Sequence, residues 1–220
     1  MRRSVFAAAL LATLGVAVPA LAEGSADDWS GDYGKKAERR SDFVLGFSPG
    51  LVLGGTTGYP NEVDKIDQAA WKASSGLAAG FGFEAWLGGA LTDWFTFGVG
   101  GGYFGGNGSG GNTSGGAFLI RIETFPLYKL GGSLRDLALF GNFGAGVLNL
   151  KGDDKGDGSE RAKGESGFAS VGGAGLAYEL IRSKHLAIAP TAEYILFASE
   201  SLHAHQALIG ARVVFYGGPG

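Results

Sequence analysis

Three observations predict an all-β fold, an eight-stranded antiparallel up-and-down transmembrane β-barrel. Eight long segments alternate their side chains with period two, each at least 11 residues long. Ordinary strands run about 5–6 residues, whereas a tilted membrane-crossing strand needs about 9–11. The connections between the segments alternate between short and long. The chain is 45% hydrophobic, yet after residue 22 it has no uninterrupted apolar run of about 18 residues that could form a helical span.

The chain starts with MRRSVFAAALLATLGVAVPALA, residues 1–22. Arg2 and Arg3 precede an apolar stretch, and Ala20-Leu21-Ala22 supplies a small-x-small cleavage site. This is the pattern of a cleaved secretory signal. Residues 23–41 are charged and aperiodic and predict a flexible periplasmic N-terminal tail. The barrel is expected over 42–216, and 217–220 form a short extension.

The eight runs are 42–54, 76–90, 94–104, 116–129, 137–150, 166–180, 186–198 and 206–216. In the second, Leu77, Ala79, Phe81, Phe83, Ala85 and Leu87 share one face, against Ala78, Gly80, Gly82, Glu84, Trp86 and Gly88. In the third, Phe95, Phe97, Val99 and Tyr103 oppose Thr96, Gly98, Gly100 and Gly102. The fourth sets Phe118, Ile120 and Ile122 against Ala117, Leu119, Arg121 and Glu123. The seventh sets Ile188, Tyr194 and Leu196 against Ala189, Thr191 and Glu193. The eighth sets Ile209, Val213 and Phe215 against Gly210 and Arg212. One face is apolar; the other is small or charged, which suits a crowded interior better than open water.

The short connections are 91–93, 130–136 and 181–185. The longer ones, 55–75, 105–115, 151–165 and 199–205, are mostly polar and glycine-rich. An even strand number with alternating short turns and long loops is a barrel pattern. Aromatics gather toward both run ends: Phe43, Trp94, Phe95, Phe125, Tyr128, Tyr178, Phe215 and Tyr216 near the short turns, and Phe81, Tyr103, Phe104, Phe118, Phe168 and Phe197 near the long loops. Two aromatic girdles are expected at the bilayer interfaces.

These residues resemble the small eight-stranded outer-membrane barrels of Gram-negative bacteria, the OmpA/OmpX type. The resemblance rests on the signal, the eight runs and the last run, ALIGARVVFY, with apolar residues at 207, 209, 211, 213 and 215. That run is similar to the family's C-terminal assembly signal, although here Gly217–Gly220 follow the terminal aromatic. The resemblance implies a monomeric, porin-like barrel in the outer membrane with both termini periplasmic. It implies contact with outer-membrane lipid and lipopolysaccharide, handling by the barrel-assembly machinery, and no cofactor.

The lumen of eight strands is just wide enough to be filled by side chains. Glu84, Arg121, Glu123, Glu193 and Arg212 are expected inside it near mid-depth, with Glu179 near the rim. Unpaired charges there are costly. A last hairpin folded within 199–205 sets Glu193 opposite Arg212, leaving Arg121 to Glu84 and Glu123. Similarly, a turn at 91–93 sets Gly100 opposite Glu84 and leaves room there for the carboxylate and its arginine. Three acids against two arginines leave one carboxylate needing water or a proton.

Composition excludes several functions. With a net charge of −3 and no basic excess, nucleic acid is not an expected partner. Absence of cysteine excludes disulfides and thiol chemistry. Gly100-x-Gly102-x-x-Gly105 has dinucleotide-fingerprint spacing but no helical period after it. The 42 glycines of 220 residues far exceed the usual share of about 7%, so this match follows from glycine alternation. A calcium loop starting at Asp153 fails at Lys155 and Gly164. His203-x-His205 supplies only two metal-type ligands, and Ser199, Glu200, Ser201, His203 and His205 match no acyl-transfer signature. In 55–75 a short helix capped by Asn61 is expected. The expected function is non-enzymatic: envelope integrity, or surface interaction with an extracellular ligand through loops 55–75, 105–115 and 151–165. The alternatives are a small-solute or ion channel and a lipid-A-modifying enzyme.

Overall fold

The computed structural model describes residues 40–130, 132–152, 163–183 and 185–217. The expected signal, residues 23–39 of the expected tail and the last three residues lie outside them. Eight long strands follow: β1 Asp42–Gly58, β2 Ala78–Thr92, β3 Phe95–Gly108 and β4 Gly111–Thr124; then β5 Leu137–Gly152, β6 Ala169–Tyr178, β7 Leu186–Ala198 and β8 Leu202–Tyr216. Each pairs antiparallel with its sequence neighbour, and β8 also pairs with β1. The sheet therefore closes into the eight-stranded up-and-down barrel that the alternation predicts, with no free edge.

Period-two alternation gives the wall two chemistries. On β1, Phe43, Leu45, Phe47, Leu51 and Leu53 face outward, with Leu51 63% exposed. Phe97, Phe143, Val147, Tyr194, Ile209 and Phe215 continue this surface on other strands. With a rise of about 3.4 Å per residue and a tilt of about 40°, Phe43 to Leu53 covers roughly 26 Å of height, matching the apolar band of a membrane barrel. A water-soluble monomer rarely tolerates a continuous apolar surface of this extent.

Three connections join strands at the end where Asp42 and Tyr216 lie, the turn end. They are Asp93–Trp94, residues 125–136 with 3-10 turns at Tyr128–Leu130 and Ser133–Asp136, and residues 179–185. The opposite, loop end differs from the sequence expectation. The expected loop 105–115 is only the two-residue turn Ser109–Gly110, because β3 and β4 stay paired to Gly108 and Gly111. Neighbouring strands carry the glycines as a ladder whatever their own preference, as in the pair Phe81↔Gly105. Gly111 permits the tight exit: its φ is +139°, and a Cβ there would lie 2.1 Å from the Lys151 carbonyl oxygen. The expected loop 199–205 shrinks to 199–201. Asn61 caps no helix; a single 3-10 turn, Ala69–Trp71, forms instead, and Ala73–Ser74 pairs back onto Thr57–Gly58.

The lumen also departs from expectation. Its loop half is mainly apolar, built from buried Val52, Phe104, Leu148, Ile195, Phe197 and Leu208 with their neighbours, and admits only small hydroxyls such as the Thr56–Thr113 pair and the Gln206 amide. Phe104 and Phe197 meet edge-to-face at 5.7 Å inside the barrel, so they are not girdle residues. Phe125 and Tyr216 are likewise buried at the turn end. Their positions fit the inward parity of their strands, which outweighs mere nearness to a strand end.

Candidate functional site in the barrel interior

Glu84 on β2, Arg121 and Glu123 on β4, Glu193 on β7 and Arg212 on β8 all point inward and are buried. Arg121 Nη1 donates to Glu84 Oε2 at 3.2 Å, and its Nη2 donates to Glu123 Oε2 at 3.4 Å. Arg212 grips Glu123 with two bonds: Nη1 to Oε2 at 2.5 Å and Nη2 to Oε1 at 3.1 Å. Two guanidiniums thus converge on one carboxylate, and bidentate geometry makes the Arg212 contact the strong one.

The pairing of Glu193 with Arg212 is corrected. The register places Leu208 opposite Glu193 and Ala189 opposite Arg212, because the turn ends at residue 201 and β8 begins earlier than expected. Arg212 instead reaches across the bore to β4. Glu193 accepts from the Asn142 amide, Nδ2 to Oε1 at 2.6 Å. The same Nδ2 donates to Glu84 Oε1 at 3.1 Å and Oε2 at 3.2 Å. Asn142 therefore stands between two carboxylates. Sequence reasoning missed it; its inward parity on β5, among apolar neighbours, was the available signal.

Aromatic plates complete this layer. The Arg121 guanidinium lies 4.2 Å from the Trp86 ring centroid and 3.7 Å from that of Phe140. Such stacking suits the flat, weakly hydrated guanidinium. The glycine account changes accordingly. Gly102 stands opposite Glu84, and Gly100 stands opposite Trp86. A Cβ on Gly46 would lie 2.0 Å from the Trp86 ring, and one on Gly100 would lie 2.8 Å from Trp86 Cβ. On Gly173 it would lie 2.6 Å from Glu193 Oε1. Gly46 makes room for the indole and Gly173 for the carboxylate, whereas a Cβ on Gly100 would meet the Ala85 carbonyl oxygen of the neighbouring strand at 2.2 Å. The gap beside Arg121, Trp86 and Gly100 holds only about 10 Å³, room for at most one water.

A second polar layer closes the turn end. Arg40, expected in a flexible tail, is fully buried there. Its Nη2 contacts Glu179 Oε2 at 2.6 Å and Asp136 Oδ1 at 2.9 Å. Its backbone N–H donates to Asp93 Oδ1 at 2.8 Å, and Nη1 donates to the Asp93 carbonyl at 3.1 Å. The guanidinium lies 3.4 Å from the Phe125 centroid. Glu179 also accepts from Tyr216 Oη and Arg182 Nη1, each at 2.6 Å. Burial, which alone would lower the Arg40 pKa, is outweighed chiefly by the Glu179 carboxylate, with Asp136 adding to it, so it is raised. The Asp136 carboxyl is raised chiefly by burial, with Glu179 repulsion adding to it; Arg40 and Arg182 only partly oppose this.

The other candidates lie elsewhere. His203 and His205 face outward, and the Tyr194 hydroxyl bonds His205 Nδ1. Ser199 Oγ donates to the Leu202 carbonyl at 3.0 Å, and Ser201 Oγ to the Glu165 carbonyl at 2.6 Å. Among the described residues no cluster of three metal-type side chains forms. The fingerprint Gly100, Gly102 and Gly105 lies within strand β3, with no helix behind it.

No family model and no curated protein sequence matches the chain. Solved structures are similar to it. The attachment invasion locus protein Ail of Yersinia pestis is 14% identical, with a TM-score of 0.49, over 79% of this chain and 99% of Ail. Neisserial surface protein A is 10% identical at TM-score 0.47, over 79% and 96% of the two chains. The outer membrane protein OprG of Pseudomonas aeruginosa is 8% identical at TM-score 0.41, over 81% and 98%. A closed antiparallel sheet, an apolar outer belt and a side-chain-filled bore make this chain an eight-stranded β-barrel of the outer-membrane type.

Proposed function

We propose that this outer-membrane barrel works without catalysis, as a rigid envelope element that presents its loop-end connections, 59–77 and 153–168, to an extracellular partner. The observation that carries the reading is the filling of the bore. Apolar packing occupies the loop half, the Arg121–Glu123–Arg212 network mid-depth, and the Arg40–Glu179 cluster the turn end. A bore packed in this way favours a structural scaffold over a conduit. The catalytic alternative loses support because the hydroxyls of Ser199 and Ser201 hold local backbone while His203 and His205 face outward.

The test replaces 59–77 or 153–168 with short turns and compares whole cells carrying each variant. Loss of surface binding, with the barrel still shifting on a gel before and after boiling, supports the reading. Two results would overturn it: solute-sized conductance of the intact protein in planar bilayers, or lipid A modification on overexpression that is lost in His205→Ala.

A further inference from the structure

The seam where β8 closes onto β1 carries two of the chain's three histidines on its outer wall. The tight β7–β8 turn just before them is pinned by two hydroxyls. Leu202 N–H donates to Ser199 Oγ at 2.9 Å, and Ser201 Oγ donates to the Glu165 carbonyl at 2.6 Å. His203 and His205 follow within β8, two residues apart, so their side chains leave the same face. Both are exposed. The ladder fixes each on both sides: His203 lies between Ala198 and Thr57, and His205 between Leu196 and Gly55. A rise of about 3.4 Å per residue puts their Cα atoms about 7 Å apart, close enough for two imidazoles that lean together to share one ion.

Their surroundings suit a metal ion better than packing. Tyr194 Oη and His205 Nδ1 are hydrogen-bonded. With the proton on Nδ1, the imidazole donates to the phenol oxygen and its Nε2 lone pair is left free, the usual arrangement of a metal-ligating histidine. Among the described residues His203 has no hydrogen-bond or ionic partner. Gly55, opposite His205, presents no side chain, and the Gly76 carbonyl oxygen stands over it, 2.9 Å from where a Cβ would lie. Opposite His203, the exposed hydroxyls of Thr57 and Ser74 bond each other at 3.1 Å. The space beside the two imidazoles is thus rimmed by oxygen atoms that can hold coordinated water.

We propose that His203 and His205 bind a divalent copper ion on the outer wall at the loop end. Both imidazoles ligate, and Tyr194 is a positioning residue that orients His205. Water completes the shell, held by Thr57, Ser74 and the Gly76 carbonyl. Two nitrogens with oxygens in the remaining places form a tetragonal set, which suits Cu²⁺ or Ni²⁺, and copper heads the affinity order of the divalent ions. A closed zinc site is built from four protein ligands, and among the described residues no group of even three metal-type side chains forms. The inference stands on strand register and needs no extracellular partner, so its failure leaves the proposed function standing.

The experiment folds the full chain, without an affinity tag, into phospholipid vesicles and titrates it with Cu²⁺ alone. Calorimetry gives the affinity, and electron paramagnetic resonance counts the coordinated nitrogens. One Cu²⁺ per barrel, held by two imidazole nitrogens, is expected. Tyr194→Phe should weaken binding about tenfold yet keep the two-nitrogen signature. His203→Ala and His205→Ala, which remove a ligand itself, should each weaken it by more than that and lose one nitrogen from the spectrum. His185→Ala, at the turn end, should bind as the unaltered protein does. Gel migration before and after boiling verifies that each variant is folded. Equal copper binding by the double variant His203→Ala with His205→Ala, or coordination through a single imidazole in the unaltered protein, overturns the proposal. Tighter binding of Zn²⁺ than of Cu²⁺ overturns it as well.

Discussion

Glu123 is the hub of the mid-depth network, and Glu123→Gln tests whether the network is structural. The substitution keeps the shape of the side chain and removes its charge. Arg212, fully buried, then loses a bidentate carboxylate and keeps only the distant Glu179 oxygen at 3.9 Å. Arg121 keeps Glu84 at 3.2 Å. Removing one partner from a buried pair leaves an uncompensated charge and costs about 3–5 kcal/mol. With a urea dependence of about 2 kcal/mol per molar, the unfolding midpoint falls by roughly 2 M. Reversible urea unfolding in detergent or vesicles would follow this by tryptophan fluorescence, since Trp86 stacks on Arg121. The double variant Glu123→Leu with Arg212→Met removes both charges and should recover most of the loss, because buried ion pairs are replaceable by apolar side chains. A single variant costing less than about 1 kcal/mol, or a double variant costing the sum of the singles, would refute the hub role.

Gln206→Leu should stabilise the barrel by about 1–3 kcal/mol, because both amide atoms of this buried side chain lack a partner among apolar neighbours; a lower urea midpoint would show that the amide is satisfied in solution. Gly46→Ala should abolish or strongly slow refolding, since its Cβ would enter the Trp86 ring at 2.0 Å, while Gly172→Ala, with nothing within 4 Å, should refold normally on the same gel assay. Asp136, raised above the usual carboxylate range of about 4, takes up a proton more readily in the folded protein than in the unfolded chain. Its contribution is therefore fully present below that range and is lost as pH rises through the raised value. Asp136→Asn should flatten that part of a midpoint-versus-pH curve, and an unchanged curve would contradict the shift.

The strands and their faces were legible in the sequence because period two survives in almost every run. The hairpin registers were not. Loop midpoints were taken as turn centres, yet Leu202–His205 joined the ladder and moved the last centre by two residues, and the first short turn centres on Asp93, one residue past the midpoint of 91–93. A two-residue change in a long hairpin keeps each side chain on its face but alters its partner, so Glu193 was placed inside yet paired wrongly. Arg40 escaped notice because it precedes the first alternating run, in a segment whose charge resembles a solvated tail. Phe104 escaped because an aromatic near a strand end suits a girdle and a core equally, and only parity separates them.

Arg40 also sets an order of events. Its contacts to Asp93, Asp136 and Glu179 bridge 53, 96 and 139 residues of chain. The cation enters the sequence just before β1, and its partners come from three later turns. Being always protonated, it cannot wait as a neutral group. It must remain in water until the β6–β7 turn has formed, so the first strand's own threshold is among the last places to dry. Contacts this distant in sequence are slow to form, and the burial of one N-terminal guanidinium marks the completion of the whole cylinder.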